Sequence, residues 1–144
     1  MVDKVTPAEA QELMKEEGYA YLDVRSIPEF EGGHPEGAYN IPLKHMGAGG
    51  MKDNETFLEE VEAVFDKGAK IIIGCKAGGR SKAAAERLSA AGYQNLKDQL
   101  AGYSGSRDTM GRLQEAGWAS ASLPIATEAK EGRDHASIAS RTSK

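Results

Sequence analysis

The stretch "KIIIGCKAGGRSKAAAERL", Lys70 to Leu88, decides the fold. Three β-branched isoleucines lead into Cys75, the chain's single cysteine. A continuous apolar run of this kind reads as a central strand buried on both faces. Gly78 and Gly79 follow, flanked by Lys76 and Arg80. Good helix formers then predict a helix from Ser81 to Gly92, with Gly92 as its stop. A strand passing through a glycine loop into a helix is the repeating unit of parallel α/β sheets, whose ligands bind beyond the carboxyl ends of the strands.

The loop has the composition of an anion cradle. Gly78 and Gly79 let backbone amides converge on one point. The start of the Ser81 helix adds unpaired N–H groups and a partial positive charge. Lys76 and Arg80 add full charges. Such surroundings favour thiolate over thiol and suit attack by Cys75 on an anionic electrophile. The bland alternative is a small buried hydrophobe at a strand end. The glycine pair, the two cations and the helix start together weigh against it.

Bulk properties frame this reading. A chain of 144 residues with 40% hydrophobic and 28% charged content suits one globular domain. A net charge of -4 lacks the concentrated positive field that nucleic acid or an acidic membrane needs. No apolar run approaches the ~20 residues that span a bilayer. One cysteine excludes an internal disulfide and any multi-Cys metal site, and the three scattered histidines offer no zinc-type spacing. "MVDKVTPAEA" has no apolar signal region, and a reducing cytoplasm is the expected location.

Other elements follow from local signals. "TPAE" (Thr6–Glu9) is a capping box and opens a helix from Pro7 to Glu17. "YAYLDV" is a strand, and "SIPE" (Ser26–Glu29) is a second capping box. A short strand is expected around Tyr39–Ile41, a loop from His45 to Asn54, and an amphipathic helix over Glu55–Phe65. "QNLKDQL" reads as a short strand, and a further helix is expected from Arg107 to Ala116. From about Ala126 only Ile138 is large and apolar, so residues 126–144 read as a disordered tail after a domain spanning 1–125.

Two motifs then carry a resemblance. "CKAGGRS" resembles the C-x-x-G-x-R-S active-site loop of rhodanese-family sulfurtransferases, matched at Cys75, Gly78, Arg80 and Ser81. "YLDVRSIPEFEGGHPEGAYNIPL" (Tyr21–Leu43) is similar to the family's other signature, an L-D-V-R strand end followed by G-H-x-x-G-A-x-N-I-P. The likeness runs from about Val5 to Pro124. It implies a rhodanese-like α/β fold, a central and mainly parallel sheet with helices on both faces.

The same likeness implies sulfur transfer that needs no metal or organic cofactor. Cys75 would take a sulfane sulfur from an anionic donor such as thiosulfate and pass it to cyanide, a cellular thiol or a protein acceptor. Lys76, Ala77, Gly78, Gly79, Arg80 and Ser81 would bind the donor and hold the persulfide. Asp23 reads as a structural group at a polar strand end, with Arg25 as its partner or a charge at the pocket rim. His34 reads as holding its own loop.

Two features depart from the pattern. The family's closing tryptophan is delayed to Trp118, which marks an enlarged segment over 103–124, and Pro35 stands where an aliphatic residue is common. Three rival readings share parts of the loop. A phosphatase or arsenate reductase would use C-x5-R, whereas four residues separate Cys75 from Arg80. A nucleotide-binding loop would need lysine at Arg80. A slow sulfur carrier or regulatory module would keep the same site and differ in its partner.

Overall fold

The computed structural model describes residues 2–76 and 79–142. In chain order it holds β1 (Asp3–Val5), α1 (Pro7–Glu16), β2 (Ala20–Asp23), α2 (Ile27–Glu31), β3 (His34–Pro35) and β4 (Tyr39–Asn40). Next come β5 (Lys44–Gly47), β6 (Gly50–Asp53), α3 (Phe57–Val64), β7 (Lys70–Gly74), α4 (Gly79–Ala90) and β8 (Asn95–Gln99). The chain closes with β9 (Ser106–Arg107), β10 (Leu113–Glu115), a 3-10 turn at Trp118–Ser120, β11 (Ile125–Ala126) and α5 (His135–Ala139).

Five strands form one sheet in the order β1-β8-β7-β2-β4. Every neighbouring pair in it is parallel. The isoleucine run occupies the centre, and strand alternation sends its side chains both ways. Ile71 and Ile73 join Leu22, Val61 and Leu88 in one core, while Ile72 joins Tyr21, Ala10 and Trp118 in the other. All three isoleucines are fully buried. Each such side chain contributes about 1.5–3 kcal/mol.

Both capping boxes are present. Thr6 N–H donates to Glu9 at 2.8 Å, and Glu9 N–H donates to Thr6 Oγ1 at 3.1 Å. The Ser26 amide and hydroxyl both donate to Glu29 Oε1, at 3.0 and 2.8 Å. No described helix is long and apolar enough to cross a membrane.

Three segments differ from the sequence expectations. The expected loop over His45–Asn54 is largely an antiparallel hairpin, β5 with β6, turning at Ala48–Gly49 between paired Gly47 and Gly50. The helix expected over Arg107–Ala116 is absent. Asp108 wins the local competition for backbone amides there: its Oδ1 accepts from Met110 N–H and Arg112 N–H, each at 2.9 Å. The described result is a β9–β10 ribbon.

The described part of the segment expected to be a tail, residues 126–142, is laid against the domain. Ile125 and Ala126 pair with Pro35 and His34. The Asp134 side chain caps α5 through Ser137 N–H, and Ile138 is fully buried in the larger core. His135 Nε2 lies 3.0 Å from buried Glu60 on α3. Composition counts apolar residues; it does not show that one isoleucine with a cap and a side-chain contact to Glu60 suffices to seat a short helix.

Candidate active site

Cys75 follows directly on β7 and is 2% exposed. It lies in a pocket of about 370 Å³, walled by Leu43, Lys44, Lys76, Gly79, Arg80 and Ala83. The pocket therefore joins the end of the central strand, the start of α4 and the first residues of the β5–β6 hairpin. Lys76 is exposed, and Lys44 is loosely placed, its Nζ 4.0 Å from Asp53.

The base of the cysteine loop is held from behind. Cys75 C=O accepts from Tyr103 N–H at 2.7 Å, and Lys76 C=O accepts from Ser104 N–H at 2.9 Å. Gly102 makes this approach possible. Its φ is +69°, and a Cβ there would stand 2.5 Å from the Cys75 carbonyl oxygen. Gly74 is required for another reason: a Cβ would overlap the hydroxyl of buried Tyr21, which accepts from Gln99 Nε2 at 3.1 Å.

Asp23 and Arg25 form one buried brace. The Arg25 guanidinium donates to both Asp23 oxygens, at 2.8–3.1 Å, and to Gly33 C=O at 2.6 Å. Its flat face lies 4.3 Å above the Tyr103 ring. Asn40 completes the brace by donating to the Asp23 and Arg25 carbonyls at 3.1 and 3.0 Å. Arg25 is 4% exposed, so of the two roles read for it the structure selects partner over pocket rim.

Arg80 also has a fixed task. Its guanidinium donates to both Glu29 oxygens, at 2.7 and 3.1 Å, tying α4 to α2. Burial alone would push the Glu29 carboxyl up. The hydrogen bonds from Arg80 and Ser26 outweigh that and hold it down at about 2.

These features decide what the chain is related to. Residues 6–108 match the model of the rhodanese-like domain family. The chain belongs to the rhodanese-like family. It is 47% identical over 87 residues to thiosulfate sulfurtransferase 16, chloroplastic, of Arabidopsis thaliana, covering 60% of this chain and 72% of that one. It is 35% identical over 132 residues to thiosulfate sulfurtransferase 18 of the same plant, covering 90% and 88%. The crystal structure of Rv0390 from M. tuberculosis superposes with a TM-score of 0.72 at 26% identity, over 88% of this chain and 98% of that one.

Within the rhodanese-like domain, the structure brings Cys75, Lys76, Gly79 and Arg80 to one pocket. Ala77 and Gly78, read as donor-binding residues, lie outside the described residues. Ser81 is fully buried at the start of α4, beside Asp98 rather than on the pocket wall. His34 is buried and stacked on Phe30 at 3.6 Å between ring centres, and the Phe30 carbonyl accepts from its Nδ1 at 2.7 Å, so it holds its own loop. Sequence reading missed Lys44. It stands outside both motifs, and only the fold carries it to Cys75.

The enlarged segment is an excursion that leaves and returns at one place. Trp118 N–H donates to Gly102 C=O at 2.8 Å, and Ala119 N–H donates to Tyr103 C=O at 3.0 Å. The late tryptophan still fills the smaller core, edge-on to Tyr21 at 5.4 Å. The ribbon between these points exposes Met110 and Leu113.

Proposed function

We propose that this protein is a sulfurtransferase that carries a sulfane sulfur on Cys75. The observation that bears most weight is the placing of the chain's one thiol at the end of β7, in a pocket with Lys44 and Lys76 on its wall. The names of its relatives, thiosulfate sulfurtransferase 16 and 18, supply the donor proposed here.

The cycle has two displacements. The Cys75 thiolate attacks the outer sulfur of thiosulfate. A sulfur–sulfur bond forms to Cys75, the sulfur–sulfur bond of thiosulfate breaks, and sulfite leaves with the electron pair. The acceptor, cyanide or a thiolate, then attacks the terminal sulfur of the persulfide and Cys75 leaves as thiolate. Ping-pong kinetics follow. Lys44 and Lys76 draw the dianionic donor to the pocket. Loop amides near the helix start stabilise the persulfide anion. The proposed setting is a reducing compartment, the cytoplasm or a plastid such as the first relative's name indicates.

Arg80 bears on the oxyanion rival. A phosphatase or arsenate reductase needs its loop arginine on the oxyanion, whereas Arg80 has both terminal nitrogens, Nη1 and Nη2, on Glu29. That favours transfer of a single sulfur atom. The test is thiocyanate formation from thiosulfate and cyanide by the wild type and by Cys75→Ser. Turnover in the first and none in the second is expected. Equal turnover in both would overturn the reading.

A further inference from the structure

Gln99 is fully buried at the end of β8, opposite Gly74 in the β7–β8 register. An aliphatic side chain fills such a position at no polar cost, whereas a buried amide is costly unless its groups are paired. The Gln99 amide is paired three times. Its Nε2 donates to the Tyr21 hydroxyl at 3.1 Å and to Gly102 C=O at 3.0 Å, which uses both hydrogens. Its Oε1 accepts from Gly102 N–H at 2.9 Å.

Those contacts reach Cys75 from two directions. Before the thiol, the Tyr21 hydroxyl lies against Gly74 and leaves no room for a Cβ there. After it, Gly102 stands against the Cys75 and Lys76 carbonyls, where a Cβ would come within 2.5 and 2.6 Å of their oxygens. The next two residues complete the hold, Tyr103 N–H donating to Cys75 C=O and Ser104 N–H to Lys76 C=O. The Gln99 amide joins the Tyr21 side to the Gly102 side. Burial pushes the Tyr21 hydroxyl well above its ordinary range, so it stays neutral and able to accept from Gln99.

We propose that Gln99 is a positioning residue for Cys75: anchored on Tyr21, it fixes the Gly102 turn and, through it, how the strand end presents the thiol. Gln99 lies off the pocket wall described above, so it acts through the backbone. The hold itself rests on geometry, and its effect on rate rests on the sulfurtransferase reading. In-line attack on the donor's outer sulfur tolerates little misplacement, and about 1 Å can cost a hundredfold in rate. Donor capture depends less on the hold, since Lys44 stands on β5 and Lys76 is exposed.

The test compares the wild-type chain with Gln99→Met, which removes all three hydrogen bonds at similar length, and with Tyr21→Phe, which removes the anchor alone. Ile138→Ala is the stability control, because α5 takes no part in the hold. Amide hydrogen exchange and thiosulfate–cyanide kinetics are measured well below every melting transition. In Gln99→Met, exchange at Tyr103 and Ser104 should rise about tenfold more than at Ile72 and Ile73. Its kcat should fall about tenfold, with KM for thiosulfate changed by less than about twofold. Tyr21→Phe should show the same pattern at about threefold, and the double variant should lose no more than Gln99→Met.

Ile138→Ala should keep kcat despite its lost stability. Should Gln99→Met not fold, Tyr21→Phe decides by the same two readouts. A wild type that forms no thiocyanate would sink the sulfur-transfer reading alone, and exchange at Tyr103 and Ser104 then decides the hold. Unchanged kcat in folded Gln99→Met, exchange that rises uniformly along the chain, or an equal fall of kcat in Ile138→Ala would overturn the proposal.

Discussion

Arg80 and Glu29 are joined by two hydrogen bonds, 2.7 and 3.1 Å long, across 51 positions of sequence. One residue begins the helix after the cysteine loop, and the other ends a capping box on the helix after the Asp23 strand. The pair therefore ties the start of α4 to α2. It also changes the account of the pocket, because the arginine's charge is balanced before any donor arrives. The other cations on the described pocket wall are Lys44 and Lys76.

The pair makes stability depend on pH in a stated direction. Glu29 is held at about 2, below its ordinary 4.5. A carboxylate depressed in the folded state stabilises it above the ordinary value, and that stabilisation fades as pH falls toward the folded value. Glu29→Gln should lower stability by about 1–3 kcal/mol near neutrality. Urea unfolding at several pH values should show the gap between variant and wild type narrowing between pH 4.5 and about 2. A gap that stays constant with pH would contradict the role given to the pair.

Asp98 is expected to behave in the opposite sense. Burial pushes its carboxyl up, and a contact from Ser81 only partly opposes that. A group raised in the folded state favours folding below its ordinary value of 3.8, an advantage lost as pH rises through the folded value. Asp98→Asn should therefore stabilise the protein at pH 7 by about 1 kcal/mol. The gain should vanish in acid, as followed by thermal unfolding across pH.

Gly102 tests how the cysteine loop is held. Gly102→Ala places a methyl group 2.5 Å from the Cys75 carbonyl at a φ of +69°. A loss of about 2 kcal/mol or more is expected, with a larger fall in turnover than in stability because the clash is at the loop itself. Melting temperature and steady-state turnover, measured together, check this.

Ile138 reports on the C-terminal segment. Its side chain is fully buried, and Ile138→Ala should cost about 2–4 kcal/mol. A disordered tail would give no change. Chemical unfolding of the full chain separates the two.

These segments show why some of the structure was legible in the sequence and some was not. The isoleucine strand and both capping boxes were plain because their causes are local: β-branched side chains, and a hydroxyl three positions before a glutamate. The β5–β6 hairpin was hidden, since Lys44, His45, Met46, Met51 and Lys52 lack the apolar alternation that marks a half-buried strand. The helix expected over 107–116 gave way to the hydrogen bonds of Asp108, which periodicity does not register. Two motifs pointed to Cys75, Asp23 and Arg25, and left Arg25 open between a partner of Asp23 and a pocket-rim charge. Neither motif placed Lys44 at the pocket or Glu29 on Arg80, because each depends on long-range contacts that only the folded sheet creates.

Lys44 separates donor capture from chemistry. Lys44→Ala should raise KM for thiosulfate about two- to fivefold at low salt and leave kcat nearly unchanged. The difference should shrink as salt screens the charge. An effect confined to kcat would place Lys44 in another role.

The central claim, sulfur carried on Cys75, is tested most directly by intact mass. The full chain is incubated with thiosulfate, freed of small molecules and weighed, then weighed again after cyanide is added. The account predicts a gain of one sulfur atom that cyanide removes, in the wild type and not in Cys75→Ser. An unchanged wild-type mass, or the same gain in the variant, would contradict it.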